Sequence, residues 1–460
     1  MILYDISFIE SNFMSLKILN FSQDELYLIS NKILDVAKKY GASNSEVEIS
    51  VGTGKTISTR MGLLENIELN NEKNLTTTVF FGHQQGIAST SDFSYESINS
   101  CVEAACQIAK STAEDKAFGL ADPSLFSKKV RDLNIYDPFF DSQDLIIEKV
   151  LECEDHALNF DSKITNSEGA QLTTSENLFA YLNSEGFVGC YPSSRSSLSC
   201  SVVAKDNLGM QRDFSYSAVR SYNDLKTPIL IGQDAAQRAL NRLNIRPIKT
   251  GKYPVIFESS IASSIISTLV SAISGGNLYR EKSFLLNSLD TKIASESFSI
   301  VEDPFLEKGH ASSNFDAEGV NLKKRTILDN GLLKGYFLSS YSARKLAMQT
   351  TGNAGGPHNL IVKPSQKSLE ELIQGIDKGL LITELLGHGL NMVTGDYSRG
   401  AAGFWIESGK IKHAVEEITI ASNFKDMLLN IKAVGNDTYQ NTSKYTGSIL
   451  IEPMTVASDK

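Results

Sequence analysis

Two long stretches in which polar and apolar residues alternate constrain the fold more than any other feature. The first, SEVEISVGTGKTISTRMGLLENIELNNEKNLTTTVFFGHQQGIASTSDF, covers residues 45–93. The second, SKITNSEGAQLTTSENLFAYLNSEGFVGCYPSSRSSLSCSVVAKDNLGMQRDFSYS, covers residues 162–217. A period of two between glycine and asparagine turns is typical of antiparallel strands with one buried face. Each stretch therefore predicts a meander of antiparallel strands.

Helical periodicity flanks both stretches. Residues 22–43, SQDELYLISNKILDVAKKYGAS, begin with a capping box in which Ser22 is the N-cap and Glu25 follows three residues later. The apolar stripe of this helix is predicted to be Leu26, Ile29, Ile33, Leu34 and Ala37. A second helix in residues 94–112 is predicted to bury Ile98, Val102, Ala105, Cys106, Ile108 and Ala109. Further helices are predicted at roughly 142–159 and in residues 232–244, so the fold class is α+β.

The length of 460 residues predicts two or three domains, at about 150 residues each. We expect an N-terminal extension over residues 1–21 and an N-terminal α+β region over 22–244, with antiparallel sheets, flanking helices and an internal break near 130–140. Pro247 and the Thr-Gly turn after it indicate a boundary near residue 245. A strand-rich α+β domain is predicted over residues 245–460.

Composition narrows the class of protein. A formal net charge of −10 argues against a general nucleic-acid binder, which usually presents a basic face. The five cysteines form no Cys-x-x-Cys pair, and their odd number favours reduced thiols over a disulfide framework. The N-terminal segment carries Asp5 and Glu10 and makes a poor signal peptide, and no apolar run reaches the ~18 residues of a membrane span. We expect a soluble cytoplasmic protein without a nucleic-acid or membrane partner.

The sequence VGTGKTIS at residues 51–58 imitates a phosphate-binding loop. The full pattern needs another glycine where Ile49 stands, and it needs a helix to follow. Alternation on both sides predicts strands instead, with Gly52 and Gly54 at a bulge or tight turn. Nucleotide binding at this segment is therefore not expected.

Local spacing offers no metal site and no activated nucleophile. The six histidines include no pair three or four residues apart, and none is followed by glutamate, so the zincin pattern is absent from the sequence. Ser398 in GDYSRG lacks the glycine that a nucleophile elbow needs, because Asp396 occupies that position. His388 could reach Ser398 only through the fold.

The glycine-rich stretch ELLGHGLNMVTGDYSRGAAGFWIESGKI, residues 384–411, is the segment for which a structural and a functional explanation compete. Glycine at this density weakens regular structure, so some feature of the site must need backbone freedom. The polar residues that the stretch carries are His388, Asn391, Asp396, Tyr397, Ser398 and Arg399. They are candidates for a substrate rim or a subunit interface, or they only tie together a turn.

This stretch, followed by VEEITIASNFKDMLLNIKAVGND and the terminal TGSILIEPMTVAS, resembles the TldD/PmbA family, specifically its PmbA branch, also called TldE. STRMGLLENIELNNEKNLTTTVFFGHQQGIASTSDFS, TAEDKAFGLAD and TTGNAGGPHNLIVKPS extend the resemblance over nearly the whole chain after residue ~22. The resemblance implies an intracellular metallopeptidase built from two related subunits, with a strand-rich C-terminal domain.

In the TldD branch a helix with His-Glu-x-x-x-His and a further cysteine hold the metal ion, and the PmbA branch generally lacks these ligands. The corresponding helix in this chain, SSIASSIISTLVSAISGG at residues 259–276, contains neither histidine nor glutamate, and no cysteine follows Cys200. The resemblance thus implies no metal on this chain and zinc or a similar divalent ion on a TldD-type partner. It implies a heterodimer with that partner, which acts on short unfolded peptides, including leader peptides of modified antibacterial peptides in some members.

Exposed backbone groups of the glycine-rich stretch would suit a rim that pairs an extended peptide as an added strand. Two other hypotheses remain open. The chain could be a homodimeric peptide-binding protein without protease activity. It could also be an autonomous hydrolase with a non-local metal site that uses His310, His358, His388 and nearby carboxylates.

Overall fold

The computed structural model describes residues 16–139 and 142–458. Most of the predicted N-terminal extension, residues 1–15, therefore lies outside the described residues. The helices are α1 (Gln23–Lys39), α2 (Tyr95–Ser111), α3 (Gln143–Leu158), α4 (Pro228–Asn241), α5 (Ser259–Ala272), α6 (Gly275–Tyr279), α7 (Ser340–Lys345), α8 (Leu369–Gln374) and α9 (Phe424–Leu429). The strands up to residue 257 are β1 (Asn44–Arg60), β2 (Leu63–Phe81), β3 (Gln84–Thr90), β4 (Ile164–Asn183), β5 (Val188–Lys205), β6 (Met210–Val219) and β7 (Gly251–Phe257). Those that follow are β8 (Ile300–Asp303), β9 (Arg325–Asp329), β10 (Leu332–Leu333), β11 (Asn359–Val362), β12 (Lys378–Leu386), β13 (Asp396–Glu407), β14 (Lys410–Asn423), β15 (Ile431–Val434), β16 (Lys444–Tyr445) and β17 (Ile449–Ser458).

Both alternating stretches of the sequence enter one antiparallel sheet with the strand order β3-β2-β1-β4-β5-β6. The long pairing of β1 with β4, from Glu46↔Asn183 to Thr59↔Ala170, joins the two meanders. Val51 and Ile57 lie six residues apart on β1 and so point to the same face. Val51 packs in a core with α1 and α2, and Ile57 packs in a core with α3 and α4. All four helices therefore cover one face of the sheet.

The C-terminal strands form two further sheets. One has the order β10-β9-β8-β11-β16, and the other has the order β14-β13-β12-β7-β17-β15. An additional pairing of β14 with β17, through Ile418↔Ser458 to Ala421↔Thr455, closes the second sheet on itself. Residues of both sheets share one buried cluster with the apolar face of α5, including Ile265, Ile266 and Leu269. Helix α5 is thus at the centre of the C-terminal core.

The segment after α2 docks the first sheet onto α7. Arg344 donates from Nη1 to the carbonyls of Ala117 and Gly119, both at 2.9 Å. Asp115 accepts from the Tyr341 hydroxyl at 2.9 Å and pairs with Lys345 at 2.7 Å. The Phe118 and Tyr341 rings stack with centroids 5.2 Å apart. These contacts tie residues 115–120 to the C-terminal half.

The sequence-based predictions of fold class and of the main helices are confirmed. Ser22 and Glu25 form the capping box of α1, with Glu25 N donating to Ser22 Oγ and Ser22 N donating to Glu25 Oε2. The prediction that Ile108 is buried is wrong, because its side chain is 47% exposed. The boundary near residue 245 stays a prediction, as does the break near 130–140. In the described residues no helix is both long enough and apolar enough to cross a membrane.

The expected bulge or tight turn at Gly52 and Gly54 is not present in residues 51–58. Gly52 and Gly54 do not form a turn, since β1 pairs without interruption from Asn44 to Ser58 on β2. The register shift instead falls between Ser58 and Thr59. The segment is strand throughout, as the alternation predicted. It does not have the strand–loop–helix geometry of a phosphate-binding loop.

We expect Glu46→Gln to stabilise the protein at pH 8 and to change little at pH 5. Burial raises the pKa of Glu46 from about 4.5 to about 7, and the nearby Glu318 raises it further by a smaller amount. The Tyr181 hydroxyl, which donates to Glu46 at 2.7 Å, lowers the pKa and offsets part of this rise. A raised carboxyl pKa means that the folded state binds the proton more tightly, so stability falls as pH rises from about 4.5 to about 7. Melting temperatures at the two pH values test this.

The control is Glu68→Gln, an exposed position on β2 of the same sheet. It should leave the pH dependence of the melting temperature unchanged. Equal gains for Glu46→Gln at both pH values would contradict the assignment.

Candidate functional site

The glycine-rich stretch folds as the extended end of the β12–β13 hairpin. Beyond the paired ends of the strands, Ser398 N donates to Gly389 O at 2.7 Å and Asn391 N donates to Asp396 O at 2.8 Å. A Cβ atom on Gly389 would lie 1.5 Å from the Ser398 carbonyl oxygen. Glycine at position 389 is therefore required by close backbone approach.

Polar side chains lock the loop of residues 387–395. Asn391 Oδ1 accepts from Val393 N at 3.0 Å, as in an Asx turn. Asp396 accepts from Thr394 Oγ1 at 2.7 Å and from Asn423 Nδ2 at 3.3 Å. The loop is also bonded to the core, because Phe284 N donates to Met392 O at 2.9 Å. The loop therefore has a defined conformation.

The six candidate residues divide into two environments. Exposed or half-buried side chains on the loop and the start of β13 are those of His388, Asn391, Asp396, Ser398 and Arg399. Tyr397 is different: it is 4% exposed, and its ring lies 6.2 Å from that of Phe424 in the C-terminal core. Burial raises the pKa of Tyr397 to about 12, against the opposing influence of the Arg399 guanidinium. Tyr397 is therefore packed in the core, unlike the other five candidates.

The backbone of β13 is not available to a peptide. It pairs with β12 from Leu386↔Gly400 to Lys378↔Glu407 and with β14 from Asp396↔Asn423 to Glu407↔Lys410. Because both edges of the strand are used, residues 396–407 have no free backbone edge for a peptide strand. Within the glycine-rich stretch, the loop of residues 387–395 lies outside the strands β12 and β13.

Helix α5 does not fit a metal ion. Its hydroxyl groups donate to carbonyls of the same helix: Ser267 Oγ to Ser263 O and Ser271 Oγ to Ser267 O, each at 2.9 Å. Ser263 Oγ donates to Ser260 O at 3.3 Å. The helix carries no imidazole, thiolate or carboxylate, the groups that hold zinc in proteins.

The histidines proposed for a non-local metal site lie in separate surroundings. A ring nitrogen of His310 lies 3.1 Å from Gln440 O, whereas His358 is buried and burial lowers its pKa. His388 is exposed on the loop, and no hydrogen bond joins it to the Ser398 hydroxyl in the described ranges. Across residues 16–139 and 142–458, no three His, Cys, Asp or Glu side chains are grouped so that they could hold a metal ion.

Sequence reasoning missed an ion-pair network beside the N-terminus of α5. Arg238 Nη1 lies 3.4 Å from Glu258 Oε1, and Arg242 Nη1 lies 3.6 Å from Asp213 Oδ2. Arg242 also pairs with Glu384, and Glu258 also accepts from the Ser260 hydroxyl. One signal was present in the sequence, since Arg238 and Arg242 are four residues apart and share a helix face. Their acidic partners lie on other elements.

Comparisons with known proteins cover the whole described fold. Three family models of the PmbA/TldA metallopeptidase match the chain: domain 1 over residues 45–109, the central domain over 136–243 and the C-terminal domain over 250–458. A protein named metalloprotease PmbA homolog from Haemophilus influenzae is 41% identical over 446 residues, which is 97% of this chain and 99% of that protein. Metalloprotease PmbA from Escherichia coli O157:H7 is 42% identical over 90% of this chain and 92% of its own length.

A solved structure is similar over nearly the same length. The crystal structure of a protein from Bacteroides thetaiotaomicron, described as a candidate modulator of DNA gyrase, matches with a TM-score of 0.90 at 29% sequence identity. The match covers 95% of this chain and 99% of that one.

We expect Gly389→Ala to lower the free energy of unfolding by about 2–4 kcal/mol, since the new methyl group would overlap the Ser398 carbonyl. Thermal and urea unfolding of the full chain measure the change. Gly276→Ala on α6 is the control, because its Cβ would meet no atom within 4 Å. A Gly389 variant as stable as the Gly276 variant would show that the hairpin tolerates a side chain there.

Proposed function

The chain belongs to the PmbA/TldA metallopeptidase family, and from that membership we propose that it is the metal-free, PmbA-type subunit of a two-subunit TldD/PmbA metallopeptidase. The complex processes or degrades short unfolded peptides in the cytoplasm. A TldD-type paralogue is the partner, and it carries zinc or a similar divalent ion.

The observation that carries this proposal is the composition and bonding of α5. The resemblance aligns this helix with the ligand-bearing helix of the TldD branch. In this chain the helix offers serine hydroxyls that are bonded to its own backbone. Metal-assisted hydrolysis needs ligands that hold a cation and leave a water molecule on it. We therefore assign cleavage to the partner and substrate contact to this chain.

The loop of residues 387–395 is the part of this chain that we assign to substrate contact. His388 and Asn391 are exposed on this loop, and the hydrogen bond from Val393 N to Asn391 Oδ1 holds its conformation. The imidazole of His388 can donate to or accept from a peptide backbone, and Nδ2 of Asn391 can donate to one, whatever the side chains of the peptide are. The half-buried Arg399 adds a guanidinium that suits a peptide carboxylate. Such contacts recognise groups that all unfolded peptides share, and they do not select a particular sequence.

Reconstitution with a TldD-type partner tests the subunit role. The purified chain alone should show no peptidase activity, and mixing with the partner should give a stable complex whose activity is lost on chelation and restored by zinc. Size-exclusion chromatography and cleavage of an unstructured peptide are the measurements. Absence of both complex and activity would contradict the proposal, and a stable homodimer that binds peptide would favour the alternative of a binding protein.

We expect His388→Ala to raise the KM of the reconstituted complex several-fold, because the peptide loses a polar contact at the rim while Asn391 still holds the loop. Complex formation should be unchanged. Lys410→Ala is the matched control, since it is also exposed but lies at the opposite end of β13 from the loop. Equal KM values for the two variants would remove the loop from the substrate path.

A further inference from the structure

A cavity of about 420 Å³ lies where the N-terminal half meets the C-terminal sheet. Asp213 on β6 and Arg238 on α4 line it from one half, and Leu381 on β12 and Phe404 on β13 line it from the other. Its volume falls within the range of about 300–1,000 Å³ that is usual for small-molecule sites, which often form between domains. It lies away from the loop of residues 387–395, since none of that loop lines it.

The lining combines an apolar surface with polar groups. Its apolar members are Leu243, Leu369, Leu381, Phe404, Ile411 and Ala414. Its uncharged polar members are Asn241, Asn244, Thr383 and His413. A surface of this kind can pack an aliphatic side chain while carboxamides and a hydroxyl bind amide groups.

Two buried nitrogen atoms of lining residues have no hydrogen-bond partner in the part of the chain that the structure describes. They are Arg238 Nε and His413 Nε2. Arg238 Nε lies 3.6 Å from Asp213 Oδ1, which is an ion pair but too long for a hydrogen bond. Both atoms are shielded from the cavity, so a ligand there would be recognised by the carboxylates, the carboxamides and Lys412 instead.

Charge is divided across the lining. At one wall, two lining carboxylates (Asp213 and Glu258) face one lining guanidinium group (Arg238), so one negative charge is in excess. On β14, Lys412 lines the same cavity, and no ion pair involves it within the described ranges. Burial lowers the pKa of His413, with a further decrease from Arg246, so its ring is favoured in the neutral form. The cavity thus offers an acidic region and a separate cation.

We propose that this cavity binds a zwitterionic dipeptide with an apolar side chain. The ammonium group is attracted to the acidic wall of Asp213 and Glu258, and the carboxylate pairs with Lys412. The side chain packs on Leu381 and Phe404, and the amide group bonds with the carboxamides of Asn241 and Asn244. The choice of a peptide among zwitterions rests on the proposed function, because a peptidase complex produces dipeptides.

The test uses the purified full chain without a partner subunit and without metal, so that its result is independent of reconstituted activity. Isothermal titration with leucyl-leucine should give saturable one-to-one binding. Leucyl-leucine amide, which lacks the carboxylate, should bind about tenfold more weakly, the loss of one charged contact of about 1.4 kcal/mol.

Two variants locate the binding. Lys412→Glu should weaken leucyl-leucine binding about tenfold or more and should not weaken binding of the amide. Asn241→Trp, which fills the cavity, should abolish both. Lys410→Glu is the matched control on the same strand, outside the lining, and should leave both affinities unchanged.

No binding of leucyl-leucine to the folded wild-type chain would overturn the proposal. Binding that survives both Asn241→Trp and Lys412→Glu would also overturn it, because the peptide would then occupy another site. Lys412 is exposed, so the Lys412→Glu variant is expected to fold even if Asn241→Trp does not. The affinities of Lys412→Glu for leucyl-leucine and for its amide then test the proposal.

Discussion

The organisation of the C-terminal half depends on how helix α5 is packed. Its isoleucine and leucine side chains are buried among residues of both C-terminal sheets, and this burial fixes the helix at the centre of the core. Its serine face needs no outside partner, because each of three hydroxyl groups donates to a carbonyl three or four residues earlier. The apolar face holds the helix in the core, and the other face carries serines where a metal site would need imidazole, thiolate or carboxylate groups.

The two halves of the chain are joined by polar contacts as well as by apolar ones. Arg344 and Lys345 hold the segment after α2, and the pair Arg238–Glu258 crosses from α4 to the N-cap of α5. These ion pairs are partly buried, and they favour one arrangement because a displaced partner would lose its opposite charge. The loop of residues 387–395 and the cavity between the two halves both lie on parts of the C-terminal sheet that this arrangement positions.

Local chemistry made much of the fold predictable from the sequence. The capping box at Ser22 and Glu25 and the alternation over residues 45–93 depend on neighbours in the chain, and both predictions hold. The prediction that Ile108 is buried was wrong because the buried stripe of α2 runs through Val102, Ala105 and Ala109, and residue 108 lies to one side of it. The joining of two meanders through β1 and β4 depends on a pairing of residues more than a hundred positions apart, which no local pattern contains.

The site was predictable to a smaller extent. The sequence identified the glycine-rich stretch, but the burial of Tyr397 depends on Phe424 from another element. The acidic partners of Arg238 come from β6 and from the residue before α5, so only the arginine spacing could have been read in advance.

Metal analysis of the purified chain tests the central claim most directly. After incubation with excess zinc and exhaustive dialysis, inductively coupled plasma mass spectrometry should find far less than one zinc ion per chain, and the sample should not cleave peptides. One tightly held zinc ion per chain, together with peptidase activity of the isolated chain, would contradict the account.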